Sequence, residues 1–277
     1  MEAATTAGGV TMNPSEIEVL FARTLVGDHD DEDSWAAVHK LRLNGCREIF
    51  DRAAAWCESD DPRKRTRAAE VLCQLRRAPL SDAFAPETDR LFPDEAYRLI
   101  TKMLETEQDH LVLSSAVSAL GHLGNDSAIP LILRFQDHAD ENVRFAVAFS
   151  LCCFPDSPRS VAGLLKLTRD ADAEVRDWAA FGLGVLGDSD APEIREALLR
   201  CLNDADEDVR EEAAVGLARR QDQRVIPKLR AMLDDPEISP RILDAVAGLL
   251  GLKENEVSDW TAADCRSAIA EKFKIAR

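Results

Sequence analysis

The sequence carries no Cys-x-x-Cys pair, no Gly-x-x-x-x-Gly-Lys-Ser/Thr loop and no Gly-x-Ser-x-Gly turn. The first absence removes the common zinc and dithiol frameworks, the second a phosphate-cradling loop, and the third a hydrolase nucleophile elbow. No apolar run approaches the roughly 18 residues of a membrane-spanning helix. Residues 1–12 show no basic stretch leading into an apolar core, so no secretory signal is expected there. Basic residues are in short supply, 34 against 51 acidic ones, for a net charge of −17. A field of that sign repels phosphate, so nucleic acid is not an expected partner and basic proteins are favoured. Solubility alone is the competing reading of the same charge.

Seven cysteines are scattered without metal-ligand spacing, which reads as reduced thiols in a cytoplasmic protein. The acidic run Asp28–Asp33 alternates like a calcium loop but lacks glycine at its sixth position and glutamate at its twelfth. It is read as a solvated, helix-capping turn. Neither a metal nor a cofactor is expected.

What the sequence does have is period. In Asp172–Asp188, apolar Val175, Ala179, Leu183 and Leu186 recur at helical spacing, with Asp172 as candidate N-cap and Gly187 as candidate C-terminal glycine. With Val175 as marker, equivalent frames begin at Asp33, Lys64, Val112, Val143, Val209 and Arg241. Eight residues into every frame stands a leucine: Leu41, Leu72, Leu120, Leu151, Leu183, Leu217 and Leu249. Partner helices precede the frames and often open at proline, as at Pro158 and Pro192. A repeat near thirty residues built of helix pairs predicts an all-α, right-handed α-solenoid of about six to seven stacked hairpins.

The expected organisation is an aperiodic, disordered arm over 1–12, the solenoid over 13–254 and a C-terminal capping helix within 255–277. One interval is long, and its extra residues fall at about 77–93. That insertion is either a functional loop or a flap covering the seam.

The motif Asp-x-Asp-x-x-Val-Arg-x-x-Ala-Ala-x-x-Leu-Gly-x-Leu-Gly, with Ile-x-Pro-x-Leu-type partner helices, resembles the short HEAT repeats named after phycobilisome lyases. The resemblance covers about residues 13–252 and is clearest from Asp109 to Asp234. It implies a HEAT-like fold but no single task, since scaffolds, chromophore lyases and DNA glycosylases share related solenoids. Di-iron hydroxylases of this fold use His-Glu pairs, and none of the five histidines here precedes a glutamate. An alkylpurine DNA glycosylase-like protein would use Trp and Asp in a basic groove; Asp177-Trp178 echoes the pair, without the basic groove. A bilin lyase-like protein would need a nucleophile, for which Cys152-Cys153 is the candidate. The glycine run Gly182-x-Gly184-x-x-Gly187 falls inside a helix and cannot hold phosphate.

The resemblance also implies that second helices line the concave surface. Positions two, six and nine residues into each frame then face away from the core. The repeat usually carries polar groups at the first two of these. Here Phe145, Phe149, Phe181 and Val215 predict an apolar strip instead, bordered by Trp178 and edged by Asp177, Glu211 and Glu212. The strip is either an exposed groove or rings buried between neighbouring helices. The repeated Arg144, Arg176 and Arg210 read as a structural ladder. The function expected is a non-enzymatic module that holds a basic or amphipathic protein segment, as a scaffold or as an inhibitor or immunity-type protein.

Overall fold

The computed structural model describes residues 12–76, 90–234 and 238–275. The arm, apart from Met12, and most of the 77–93 insertion lie outside the described residues. All regular structure among the described residues is helical, apart from one isolated bridge between Arg76 and Arg90. The chain divides into two compact units, Met1–Ala128 and Ile129–Arg277.

The first unit holds α1 (Pro14–Arg23), α2 (Glu32–Leu43), α3 (Arg47–Trp56), α4 (Pro62–Leu72), α5 (Pro93–Met103) and α6 (His110–Leu123). They pack as successive pairs, and the second members α2, α4 and α6 lie side by side. The second unit holds α7 (Ile129–Leu133), α8 (Glu141–Cys152), α9 (Pro158–Leu167), α10 (Ala173–Phe181), α11 (Pro192–Cys201), α12 (Glu207–Arg219), α13 (Ile226–Met232), α14 (Pro240–Leu250) and α15 (Ala262–Phe273). Here α8, α10, α12 and α14 form one contiguous layer, and α15 packs on α14. This is the all-α, HEAT-type solenoid architecture.

An aspartate starts most second helices. The Asp140, Asp172 and Asp206 side chains accept from the amides of Val143, Val175 and Val209, satisfying donors that the helix leaves open. Each such valine is fully buried. In α2 and α14 the equivalent cap bonds, from Asp31 and Ser239, fall on Ser34 and Ile242, both buried. In these two helices the buried residue of the first turn comes one place after Asp33 and Arg241, while Ala37, Leu41, Ala245 and Leu249 are buried where their frames expect them. That shift takes Arg241 out of the seam and places it in the first turn of α14.

The arginine ladder is present as expected. Arg144 holds Asp170 through two bonds of 2.8 and 2.9 Å, and Arg176 holds Asp204 through two of 2.8 and 2.7 Å. Each guanidinium also donates to two loop carbonyls, and Arg210 repeats the carbonyl pair at Asp204 and Ala205. Arg65 does the same in the first unit, gripping Glu107 and the carbonyls of Ser59 and Asp60. Bidentate, charge-assisted bonds in partly buried loops fix the spacing between successive repeats. Arg176→Gln is expected to destabilise the second unit by about 2–3 kcal/mol, since it strands the shielded Asp204 carboxylate. A denaturant midpoint unchanged from the parent would contradict that role.

The end of α10 departs from the sequence expectation. Gly182–Leu186 is a π-helical turn closed by the Gly187 amide donating to the Gly182 carbonyl at 3.0 Å. The added residue rotates the register, so Leu186 is 40% exposed instead of joining the buried face of Val175, Ala179 and Leu183. Gly187 is not a left-handed cap either: its φ is −84°, whereas Gly124 and Gly251 take that role at +67° and +70°. Arg220 seals the turn by donating to the carbonyls of Leu183, Gly184, Gly187, Ser189 and Gly216. The glycines serve packing: a Cβ on Gly216 would lie 2.6 Å from the Gly184 Cα.

Candidate functional site

Because α8, α10 and α12 are neighbours, positions that share a register come together in space. Trp178 is the hub. Its ring meets Phe145 at 5.8 Å, Phe149 at 5.1 Å and Phe181 at 5.7 Å between centroids, each edge-on at 74–88°. Edge-to-face pairs of this kind each contribute about 0.5–1.5 kcal/mol beyond burial, so the cluster is self-supporting. All four rings are half-buried, neither sealed between helices nor fully exposed.

Beside the rings sit the acids. Asp177 and Glu211 are half-buried, but Glu212 is only 7% exposed and Val215 only 3%. Val215 therefore offers only a sliver of surface, and Glu212 is a buried acid instead of an edge. The π-turn after α10 approaches α12 closely at Gly184 and Gly216, α14 also packs against α12, and α12 is buried from Glu212 to Ala218. Asp177 Oδ1 and Glu212 Oε2 are inaccessible and accept no hydrogen bond. Glu211 is better served, accepting from the Ser239 hydroxyl at 2.7 Å.

Burial therefore dominates the acid–base behaviour. Asp177 is pushed up to about 6, by desolvation first and then by the charges of Asp208 and Asp206, with Arg241 opposing. Glu212 is pushed up to about 7, again by burial, with Arg241 opposing and Asp177, Glu211 and Asp208 reinforcing the rise. Burial also raises Glu211.

Arg241 is the functional candidate that sequence reasoning missed, having been assigned to the seam as a frame marker. Its Nε forms an ion pair with Glu212 Oε1 at 2.8 Å, and its guanidinium carbon stands 5.3 Å from the centre of the Phe181 ring. A charged residue where the other central frames have valine was the available signal. Next to it opens a cleft of about 500 Å³ bordered by Val185, Val215, Arg219, Arg241, Asp244 and Gly248.

A larger depression, about 1160 Å³, lies along the first-helix layer near Asp137, Arg144, Lys166 and Asp170. Arg144 pairs with Asp170 there and Lys166 with Asp137, and none of the buried side-chain atoms left without a hydrogen bond among the described residues belongs to its lining. Cys152 is buried, its thiol donating to the Trp178 carbonyl at 3.3 Å, and burial pushes its pKa well above the ordinary thiol range. It is not a thiolate nucleophile at neutral pH. Cys153 is exposed. Among the described residues no three His, Cys, Asp or Glu side chains are placed to share a metal, and no helix is long and apolar enough to cross a membrane.

Comparison with known proteins agrees with this architecture. A family model described as HEAT repeats matches residues 97–184 and 161–250. Protein YibA of Escherichia coli K12 is 26% identical over 235 residues, covering 83% of this chain and 79% of that protein. The crystal structure of E. coli YibA superposes with a TM-score of 0.69 at 22% identity, covering 96% of this chain and 93% of that one. The complex of CpcE and CpcF of phycocyanin lyase from Nostoc sp. PCC7120 gives a TM-score of 0.47 at 17% identity over 98% of both chains. The likeness to the YibA structure speaks to the fold alone.

Proposed function

We propose a function from one premise: this chain belongs to the HEAT-repeat family. HEAT repeats generally mediate protein interactions, and their extended stacks offer long surfaces to a partner. On this chain the reading is a non-enzymatic module that holds a basic or amphipathic protein segment against the second-helix layer of the second unit. Phe145, Phe149, Trp178 and Phe181 anchor its apolar face, and Asp177 and Glu211, with Glu212 beneath them, face its positive charges. Scaffold and inhibitor roles both fit such a module.

One observation carries the reading. A partly exposed aromatic cluster lies beside two buried carboxylate oxygens that accept no hydrogen bond, within a chain of net charge −17. Rings give binding energy, unmet acceptors give sign, and the long-range field steers a basic partner in. Phosphate ligands are disfavoured by the same field.

The double substitution Phe149→Asp, Phe181→Asp tests it. Affinity for an arginine-rich amphipathic helix is expected to fall by at least about tenfold, as loss of central aromatic anchors does. Helix content by circular dichroism should be retained, because both rings are only half-buried. Unchanged affinity in a folded double variant would remove the groove from consideration.

A further inference from the structure

We infer that Arg241 is an internal occupant of a guanidinium site, and that an arginine of the bound segment takes its place. The inference rests on the binding reading above and deepens it by naming the side chain recognised.

Arg241 is out of keeping with its own helix. The caps align it with Asn142, Glu174 and Asp208, the first-turn position of the three preceding second helices of its own unit. There the helix dipole favours negative charge and opposes a cation. Its guanidinium is instead drawn back across the layer, onto Glu212 of α12 and the ring of Phe181 on α10. A guanidinium lying over an aromatic ring and ion-paired with a shielded carboxylate is the arrangement by which arginine is recognised between proteins.

The fit is incomplete. Through Nε it engages only Oε1 of Glu212, while Asp244 stands at 4.0 Å. Glu212, with a side chain only 9% exposed, keeps Oε2 without a donor, and Asp177 keeps Oδ1 without one. These acids feel one another, and Arg241, itself 39% exposed, offsets the charge of Asp177, Glu211 and Glu212 together. An arginine arriving from outside is free of the α14 backbone. Its planar fork can present paired donors to Glu212 and reach Asp177, which Arg241 does not. Arg241 is the weaker, tethered rival.

Acetyl-arginine amide, titrated into the intact protein and followed by NMR at the Trp178 indole N–H, tests this. The signal is assigned by its loss in Trp178→Phe. The arginine amide should shift it saturably and the neutral isostere acetyl-citrulline amide should not. Arg241→Gln should tighten arginine amide binding by at least about tenfold. Lys253→Gln, the same charge change on the rim of the same cleft, should stay within about threefold. Equal responses to arginine and citrulline overturn the inference without any variant. So does equal tightening by both substitutions, which would mean charge alone, or no tightening by Arg241→Gln. If the amphipathic helix binds but arginine amide fails to shift Trp178, the guanidinium site fails while the groove stands. If arginine amide binds and no helix does, the groove fails instead.

Discussion

Gly216→Ala is expected to destabilise the second unit by about 2–3 kcal/mol, against the normal trend for glycine inside a helix. Helix propensity alone would stabilise the alanine variant by about 1 kcal/mol. A Cβ there would meet the Gly184 Cα at 2.6 Å and a Leu198 methyl at 2.9 Å, closer than any ordinary carbon contact. The methyl could rotate away, but the backbone of α10 could not, so overpacking outweighs propensity. The reciprocal change Gly184→Ala should be milder, its Cβ meeting the Glu212 carbonyl at 3.0 Å and the Gly216 Cα at 3.1 Å. Denaturant midpoints of both variants check the order, and a more stable Gly216→Ala protein would mean the helices do not approach as described. The link to function is direct, because the same approach sinks Glu212 and Val215 below the surface.

The second large effect is on pH. Glu212 has a folded pKa of about 7 against an ordinary 4.5, so between those values the native state binds protons that the unfolded state has released. Stability then falls as pH rises: the loss begins near 4.5 and is complete above about 7. A rise of that size corresponds to roughly 3 kcal/mol for this one carboxyl. Asp177, pushed up to about 6, acts in the same direction. The carboxylates of the ladder, Asp170 and Asp204, are held below the usual range by Arg144 and Arg176, so their contribution disappears only in acid, outside this window. His29, raised chiefly by its bond to Glu70, also loses stabilisation on the alkaline side, but in the first unit. Comparison of the parent with Glu212→Gln isolates the site: the variant should be more stable at pH 8 and about equal at pH 4.5. A variant less stable than the parent at pH 8 would mean that Arg241 already satisfies Glu212. A basic ligand relieves the same strain, so it should stabilise the protein more at pH 8 than at pH 5.

Much of the fold was legible because repeat physics writes itself into register. Capping aspartates, buried valines and arginine ladders recur, and each recurrence reinforces the others. Only the first turns of the terminal frames were misread, because the caps of Asp31 and Ser239 that set them lie outside the leucine count that placed Asp33 and Arg241. Leu186 was misplaced because sequence periodicity assumes an unbroken α-helix, and the π-turn at Gly182–Leu186 breaks it. The aromatic positions were legible as departures from the repeat, and the structure brings Phe145, Phe149 and Phe181 around Trp178. The depth of Glu212 and Val215 was not legible, since it depends on how far Gly184 and Gly216 let two helices close. The hold of Arg241 on Glu212 was hidden for a related reason: it joins consecutive repeats through side-chain reach, which periodicity does not encode.

Calorimetric titration with three synthetic peptides tests whether the second unit holds a basic amphipathic segment. One is an amphipathic helix of arginine and leucine, one has the same composition scrambled to remove the apolar face, and one has glutamate for arginine. Binding of the first alone is expected, with a negative heat-capacity change from apolar burial and weakening as salt is added. Equal binding of the scrambled peptide, or none by the first, would contradict it.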